Sequence, residues 1–222
     1  MIGSITSLTG LPGRVVLTFD DGPDPQATPQ LLDVLASHAA GATFFVLADP
    51  VRRHPDVVRR AVAEGHEVAL HGLDHRRLSR LGTREARSWL RDSRSLVEDV
   101  TQRPVVHFRP PHGAQTPRTW GLARACGLEV VLWDGTTWDW REVSQEERVA
   151  AALRTARPGS ILLAHDGAHH DPDTQAPPAD VDKVELLERI VSAYGERGLR
   201  FVSLAQALAD GATAVREASF SR

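Results

Sequence analysis

One cysteine, Cys126, occurs in 222 residues, so no disulfide can form within the chain and no redox compartment follows. Its neighbours Leu122, Ala123 and Leu128 make it a small core residue. No run of apolar residues approaches the roughly 18 of a membrane span. No block of like charge occurs, and 26 Lys+Arg against 29 Asp+Glu leave a net charge of −3, which argues against a nucleic-acid or anionic-membrane surface. The opening residues, MIGSITSLTGLPG, have neither a basic n-region nor an apolar h-region, so they are no secretory leader. As written the chain is expected to stay in the cytoplasm, and to be extracytoplasmic only if its N-terminus has been trimmed. No linker rich in Pro, Gly or Ser divides it, so one domain is expected over 1–222, with its core at 15–208.

What the chain does have is regular alternation. Apolar β-like runs at 15–20, 42–47, 67–71, 105–109, 129–134, 160–165 and 200–204 are separated by helical patterns at 28–39, 55–64, 84–101, 117–125, 144–157, 180–196 and 205–209. Ser144 and Glu147 form a capping-box pattern. The residues before 15 read as a leader, the tail after Gly211 as loose, and 167–179 as a loop over one end. Seven strands alternating with helices predict a parallel α/β fold, and the even repetition favours a barrel over an open sheet.

The chain is organised around VVLTFDDGPDP at 15–25. A buried strand there ends in two adjacent carboxylates, Asp20 and Asp21, and Gly-Pro stops it. Such a pair repels itself unless positive charge lies beside it. The other unusual polar residues follow the same rule of position: His71, Arg109, Asp134 and His165 end strands, and Asp139 lies just beyond one. In a parallel barrel all these ends share one face, where active sites are built. His71 and His75, four apart in HGLDH, have a spacing used by metal sites. With one Asp they make the two-His, one-carboxylate set of a catalytic zinc; the other Asp would then take a proton from water acidified by the ion.

Taken singly, each feature has a plain reading. The histidines could be surface residues, DD-GP a capped turn, His165 a satisfied core histidine, Arg109 a surface ion-pair partner and Asp139 a cap. Trp133, Trp138 and Trp140 could be core or rim aromatics. Separate accidents would not share one end of a barrel, and that joint placement overturns the plain readings.

The motifs TFDDGP, HGLDH, FRPPHG, WDGTTWDW and ILLAHDG, in that order over 15–208, resemble the polysaccharide deacetylases of carbohydrate esterase family four, the NodB-homology domains. The resemblance implies an irregular (β/α)₇ barrel and a metal-dependent deacetylase. It implies Asp20 as general base, Asp21, His71 and His75 as metal ligands, and Arg109 as the partner that holds Asp20 aimed. His165 would be the general acid, charged and oriented by Asp139. The backbone N–H of His112, following Pro111, would hold the oxyanion, and Trp140 and Leu163 would line the acetyl pocket. Three positions depart from the family pattern. Gly72 replaces a Ser or Thr that steadies the metal loop, His112 replaces a Tyr, and Thr136 replaces an Asp. The expected cofactor is a divalent cation, zinc first, with cobalt, nickel or iron also accepted by such ligands. The expected substrate is an N-acetylglucosamine-containing carbohydrate. A small N-acyl or cyclic-amide metabolite is the first alternative, and a non-catalytic carbohydrate-binding module the second.

Overall fold

The structure, a computed structural model, describes residues 3–167 and 179–220; most of the expected loop at 167–179 lies outside them. In chain order the first elements are β1 (Ser4–Thr9), β2 (Arg14–Asp20), α1 (Ala27–Ser37), β3 (Thr43–Leu47), α2 (Ala48–Arg53), α3 (Pro55–Ala63) and β4 (Glu67–Gly72). There follow α4 (Thr83–Thr101), β5 (His107–Phe108), α5 (Pro117–Ala125), β6 (Glu129–Val130), β7 (Gly135–Thr136), α6 (Gln145–Leu153) and β8 (Ile161–His165). The last are α7 (Lys183–Gly195), β9 (Arg200–Val202), α8 (Leu204–Ala209) and β10 (Thr213–Glu217). Ser144 and Glu147 do form a capping box, at the start of α6, though that helix stops short of the predicted 157.

The main sheet is parallel, in the order β6-β5-β4-β3-β2-β8-β7. Strand β2 sits at its centre and changes partner along its length: Arg14–Val16 pair with β9, and Thr18–Asp20 with β3. The curled sheet with helices outside it is an irregular (β/α)₇ barrel.

Side-chain alternation divides the strands into an outer and an inner face. Outward residues Val15, Leu17, Phe19, Phe44, Val46, Leu70, Phe108 and Leu162 join the helices in one large apolar core. Inward residues Val16, Phe45, Ala69, Val131 and Ile161 pack with Ile5, Leu8, Leu204 and Ala207 in a second, smaller cluster that forms a floor inside the barrel. Continuing along the same inner face, two residues at a time, the strands reach Thr18 and Asp20 on β2, His71 on β4, and Leu163 and His165 on β8. The inside is therefore apolar at the N-terminal end of the strands and polar at the C-terminal end.

Three expectations need correction. The supposed leader and tail are strands, β1 and β10, paired antiparallel from Ser4 opposite Glu217 to Thr9 opposite Thr213. The run at 129–134 is not one strand. After β6 the backbone leaves its ladder, and the Leu132 N–H donates to the Ile5 carbonyl at 2.7 Å. The chain then rejoins the sheet as β7 beside β8, so β1 lies between the two edges. As a result Asp134 is not at the catalytic end: its Oδ1 accepts from the Ile161 N–H at 2.8 Å, at the start of β8, and its Oδ2 pairs with Arg157.

Leu8 is 1% exposed and belongs to the inner floor. Leu8→Ala is expected to lower stability by about 2–5 kcal/mol, the range for a leucine deleted from a core, as read by urea unfolding. A loss under about 0.5 kcal/mol would mean that β1 lies on the barrel without closing it.

Candidate active site

Arg109 follows directly on β5, its N–H donating to the Leu70 carbonyl at 2.9 Å. Its guanidinium reaches the barrel interior and is fully buried, at 0% exposure. Nη1 donates to Asp20 Oδ1 at 2.6 Å and Thr18 Oγ1 at 2.8 Å; Nη2 donates to the Leu132 carbonyl at 3.0 Å. The Phe45 ring lies 4.1 Å beneath Cζ, a favourable cation–π contact. Burial lowers the Arg109 pKa, against the pull of Asp20, but an arginine starts so high that it stays charged. The ion pair is short and dry, and further hydrogen bonds hold its Arg109 side.

Strict alternation would send Asp21 away from Asp20. Instead Asp21 adopts φ +80°, a backbone region that aspartate visits more readily than most residues, and its carboxylate turns towards the histidines. Asp21 Oδ1 lies 3.3 Å from His71 Nε2 and 3.4 Å from His75 Nε2. Ligands about 2.0–2.1 Å from a tetrahedral zinc are separated from one another by about 3.4 Å, so each imidazole nitrogen stands from the Asp21 oxygen at the spacing that geometry requires. The His71 tautomer agrees. Nδ1 lies 2.8 Å from the Arg109 carbonyl, which only accepts, so Nδ1 carries a proton and Nε2 faces Asp21. Burial would raise the Asp21 carboxyl, but the adjacent imidazoles of His71, His165 and His75 hold it far below the usual carboxylate range. The three form a group of mutually close potential ligands and could hold a divalent cation.

On the far side of Asp20, His165 is its direct neighbour across the β2–β8 ladder. Its Nδ1–H donates to Asp139 Oδ1 at 2.8 Å, and its backbone N–H donates to Oδ2 of the same carboxylate at 2.7 Å. Burial alone would lower the His165 pKa; the Asp139 carboxylate outweighs it and pushes the ring up to about 9. Asp139, in turn, is held below its ordinary value by His165 despite its burial. The bidentate grip fixes the ring with Nε2 as its remaining nitrogen. Trp140 meets His165 edge to face at 5.4 Å between centroids and is 47% exposed. Leu163, two residues before His165 on the same face of β8, is buried yet belongs to neither apolar core. Pro111 and His112 form a 3₁₀ turn beyond β5; His112 takes φ +60°, and its ring lies 4.2 Å from that of His75.

The three departures from the family pattern each have a local setting. Gly72 has φ +131°, and a Cβ there would overlap the Trp89 ring. Thr136 sits in β7 beside Leu163 and accepts the Trp138 N–H at 3.3 Å. His112 faces His75, as above. Of the other tryptophans, Trp133 lies 5.4 Å from the Arg109 guanidinium, and Trp138 stacks with Arg154 at 4.0 Å and Arg141 at 4.5 Å.

One participant went unread in the sequence. Asp166 lies buried beneath the aspartate pair. It accepts from the Gly22 N–H at 3.1 Å and the Thr28 hydroxyl at 2.6 Å, while its own N–H donates to the Asp20 carbonyl at 3.2 Å. A Cβ at residue 22 would overlap its carboxylate, so only glycine allows this approach. Burial pushes its carboxyl up to about 7, against the Thr28 bond. The available signal was its place in AHDG, directly after a strand-ending histidine.

The family model described as Polysaccharide deacetylase matches residues 9–131. A chitooligosaccharide deacetylase of Sinorhizobium fredii is 39% identical over 200 residues, covering 89% of this chain and 93% of the relative. A peptidoglycan-N-acetylglucosamine deacetylase of Bacillus cereus is 32% identical over 199 residues, covering 87% of each. The crystal structure of a peptidoglycan N-acetylglucosamine deacetylase in complex with 4-naphthalen-1-yl-N-oxidanyl-benzamide superposes with a TM-score of 0.81 at 28% identity, over 91% of both chains. The chain belongs to the polysaccharide deacetylase family.

Proposed function

We propose that this protein is a metal-dependent hydrolase that removes N-acetyl groups from an N-acetylglucosamine-containing poly- or oligosaccharide, releasing acetate and a free amine. The observation that carries the reading is a single arrangement. Three cation donors spaced at 3.3 and 3.4 Å lie beside an Arg-held carboxylate, and an Asp-held imidazole is that carboxylate's neighbour across the sheet.

Asp21, His71 and His75 would hold the ion, and zinc is the ion that suits two imidazoles and a carboxylate at tetrahedral spacing. When bound, it supplies Lewis-acid polarisation of the acetamide carbonyl and acidifies water. Asp20 takes the proton of the attacking water, its carboxylate held on one oxygen by Arg109. The backbone N–H of His112 donates to the oxyanion that develops on the former carbonyl oxygen. His165 gives its proton to the amide nitrogen as the C–N bond breaks, and Asp139 stabilises the imidazolium until then. Trp140 and Leu163 receive the acetyl methyl. The exposed Trp140 ring beside His165 offers an apolar face to a pyranose, which favours a glycan over a small N-acyl metabolite.

Asp20→Asn is expected to retain the metal but lose at least about 100-fold in turnover, whereas His71→Ala loses both. Metal analysis together with acetate release from chitooligosaccharides checks this. Deacetylation retained in Asp20→Asn would break the role assignment, and bound metal with no acetate from any glycan would turn the reading to a small-molecule substrate.

The pH dependence follows from the raised His165 pKa. The ring is protonated below about 9 and loses its donor proton above it, so the rate should fall on the basic side. A bound cation favours the neutral ring and can only move that limb down. Asp139→Asn removes the largest opposing charge and should shift the basic limb to lower pH by one unit or more, on the order of the effect of a close counter-ion. An unmoved limb would show that His165 is not the group being titrated.

A further inference from the structure

We infer that Trp89, in the second turn of α4, is the positioning residue that fixes the loop carrying His75, and thereby the affinity of the Asp21–His71–His75 group for its cation. This rests on the metal reading above. Strand β4 stops at Gly72, and residues 73–77 are neither helix nor strand. Nothing in the loop's own backbone pattern therefore sets where His75 falls, so contacts from neighbouring elements must do so.

Two such contacts hold the stretch between the histidines. The Leu73 carbonyl accepts from the Asp49 N–H, in the first turn of α2, at 3.0 Å. Asp74 Oδ1 accepts from the Trp89 indole Nε1–H at 3.2 Å. Asp74 directly precedes His75, so holding its carboxylate restricts the next residue. Arg76 also grips Asp74, its Nε donating to Oδ2 at 2.9 Å, and its Nη1 lies 3.6 Å from Glu85 on α4, but both of those side chains are exposed, so this link is screened and adjustable. Trp89 is the direct, part-buried contact between Asp74 and the helix layer. It is 4% exposed and packed in the large core, so its position is not adjustable.

The ring has a second effect. Its edge fills the space that a Cβ at residue 72 would occupy, so Gly72 and Trp89 fit only as a pair. Gly72 is the residue immediately after one ligand, and Asp74 the residue immediately before the other. One indole thus bears on both ends of the His71-to-His75 segment, with ring volume at one end and a hydrogen bond at the other. Partners outside the ligand shell commonly change metal affinity by about 10–100-fold when removed.

The competing account is an ordinary core tryptophan whose N–H has found a nearby acceptor. It would affect stability and leave cation binding alone. Trp89→Phe separates the two, since it keeps a ring in the core and loses the donor; Asp74→Asn weakens the same bond from the loop side. The metal-free protein is titrated with zinc by calorimetry, and the visible spectrum of its cobalt form is recorded. Each variant is expected to bind zinc about 10-fold more weakly or worse and to show an altered cobalt spectrum. The double variant should bind no more weakly than the weaker single one, because both changes break one link. Wild-type affinity and an unchanged spectrum in Trp89→Phe would overturn the inference, as would fully additive losses in the double variant. If the unaltered protein binds neither zinc nor cobalt, it is the metal reading itself that falls.

Discussion

The site hangs on one dry ion pair. Arg109 and Asp20 are both removed from solvent, an arrangement whose desolvation cost is recovered only when the remaining hydrogen-bonding capacity of each group is met. Here Arg109 meets most of it, with a hydroxyl from β2 and a carbonyl from the segment after β6, and leaves only its buried Nε without an acceptor among the described residues. Its own carbonyl receives the His71 Nδ1–H. A single residue therefore orients the proposed base, selects the tautomer of a proposed metal ligand and joins three stretches of the barrel wall. Deleting the guanidinium would leave a buried carboxylate without its counter-charge, so this position couples folding to the site.

Around that pair the barrel interior is organised by height. The alternation that buries Val16 and Ile161 in the floor also points Asp20 and His165 into the site four residues later, with no special device. Asp21 is the exception, and the exception serves the proposed cation site. Its left-handed backbone brings a second carboxylate to the face that the first already occupies, an instance of local strain held where chemistry gains from it. Asp166, packed beneath, braces the same turn through Gly22 and Thr28.

Much of this was legible in the chain. Strand ends at Asp20, His71, Arg109 and His165 could be read because polar residues closing apolar runs are conspicuous, and the motif order gave the family. What could not be read has physical causes. Strand β1, SITSLT, buries Ser4, Thr6 and Ser7 along with its apolar residues, so it shows no hydrophobic signature despite its burial. Asp134 seemed to end a strand because EVVLWD is apolar throughout; only the hydrogen bond from Leu132 to Ile5 reveals that the backbone crosses to another edge there. Trp89 sits at a helical core spacing, and spacing cannot say where an indole N–H will point.

The β1–β10 ribbon has a topological consequence. Ser4 stands directly opposite Glu217 on neighbouring antiparallel strands, roughly 5 Å apart at the Cα atoms. A short turn could therefore join the two into a continuous hairpin, making the backbone closed in connectivity and leaving it free to be opened elsewhere. Circular permutants cut in a helix connection far from the DDGP turn would keep every strand of the barrel while relocating the chain ends.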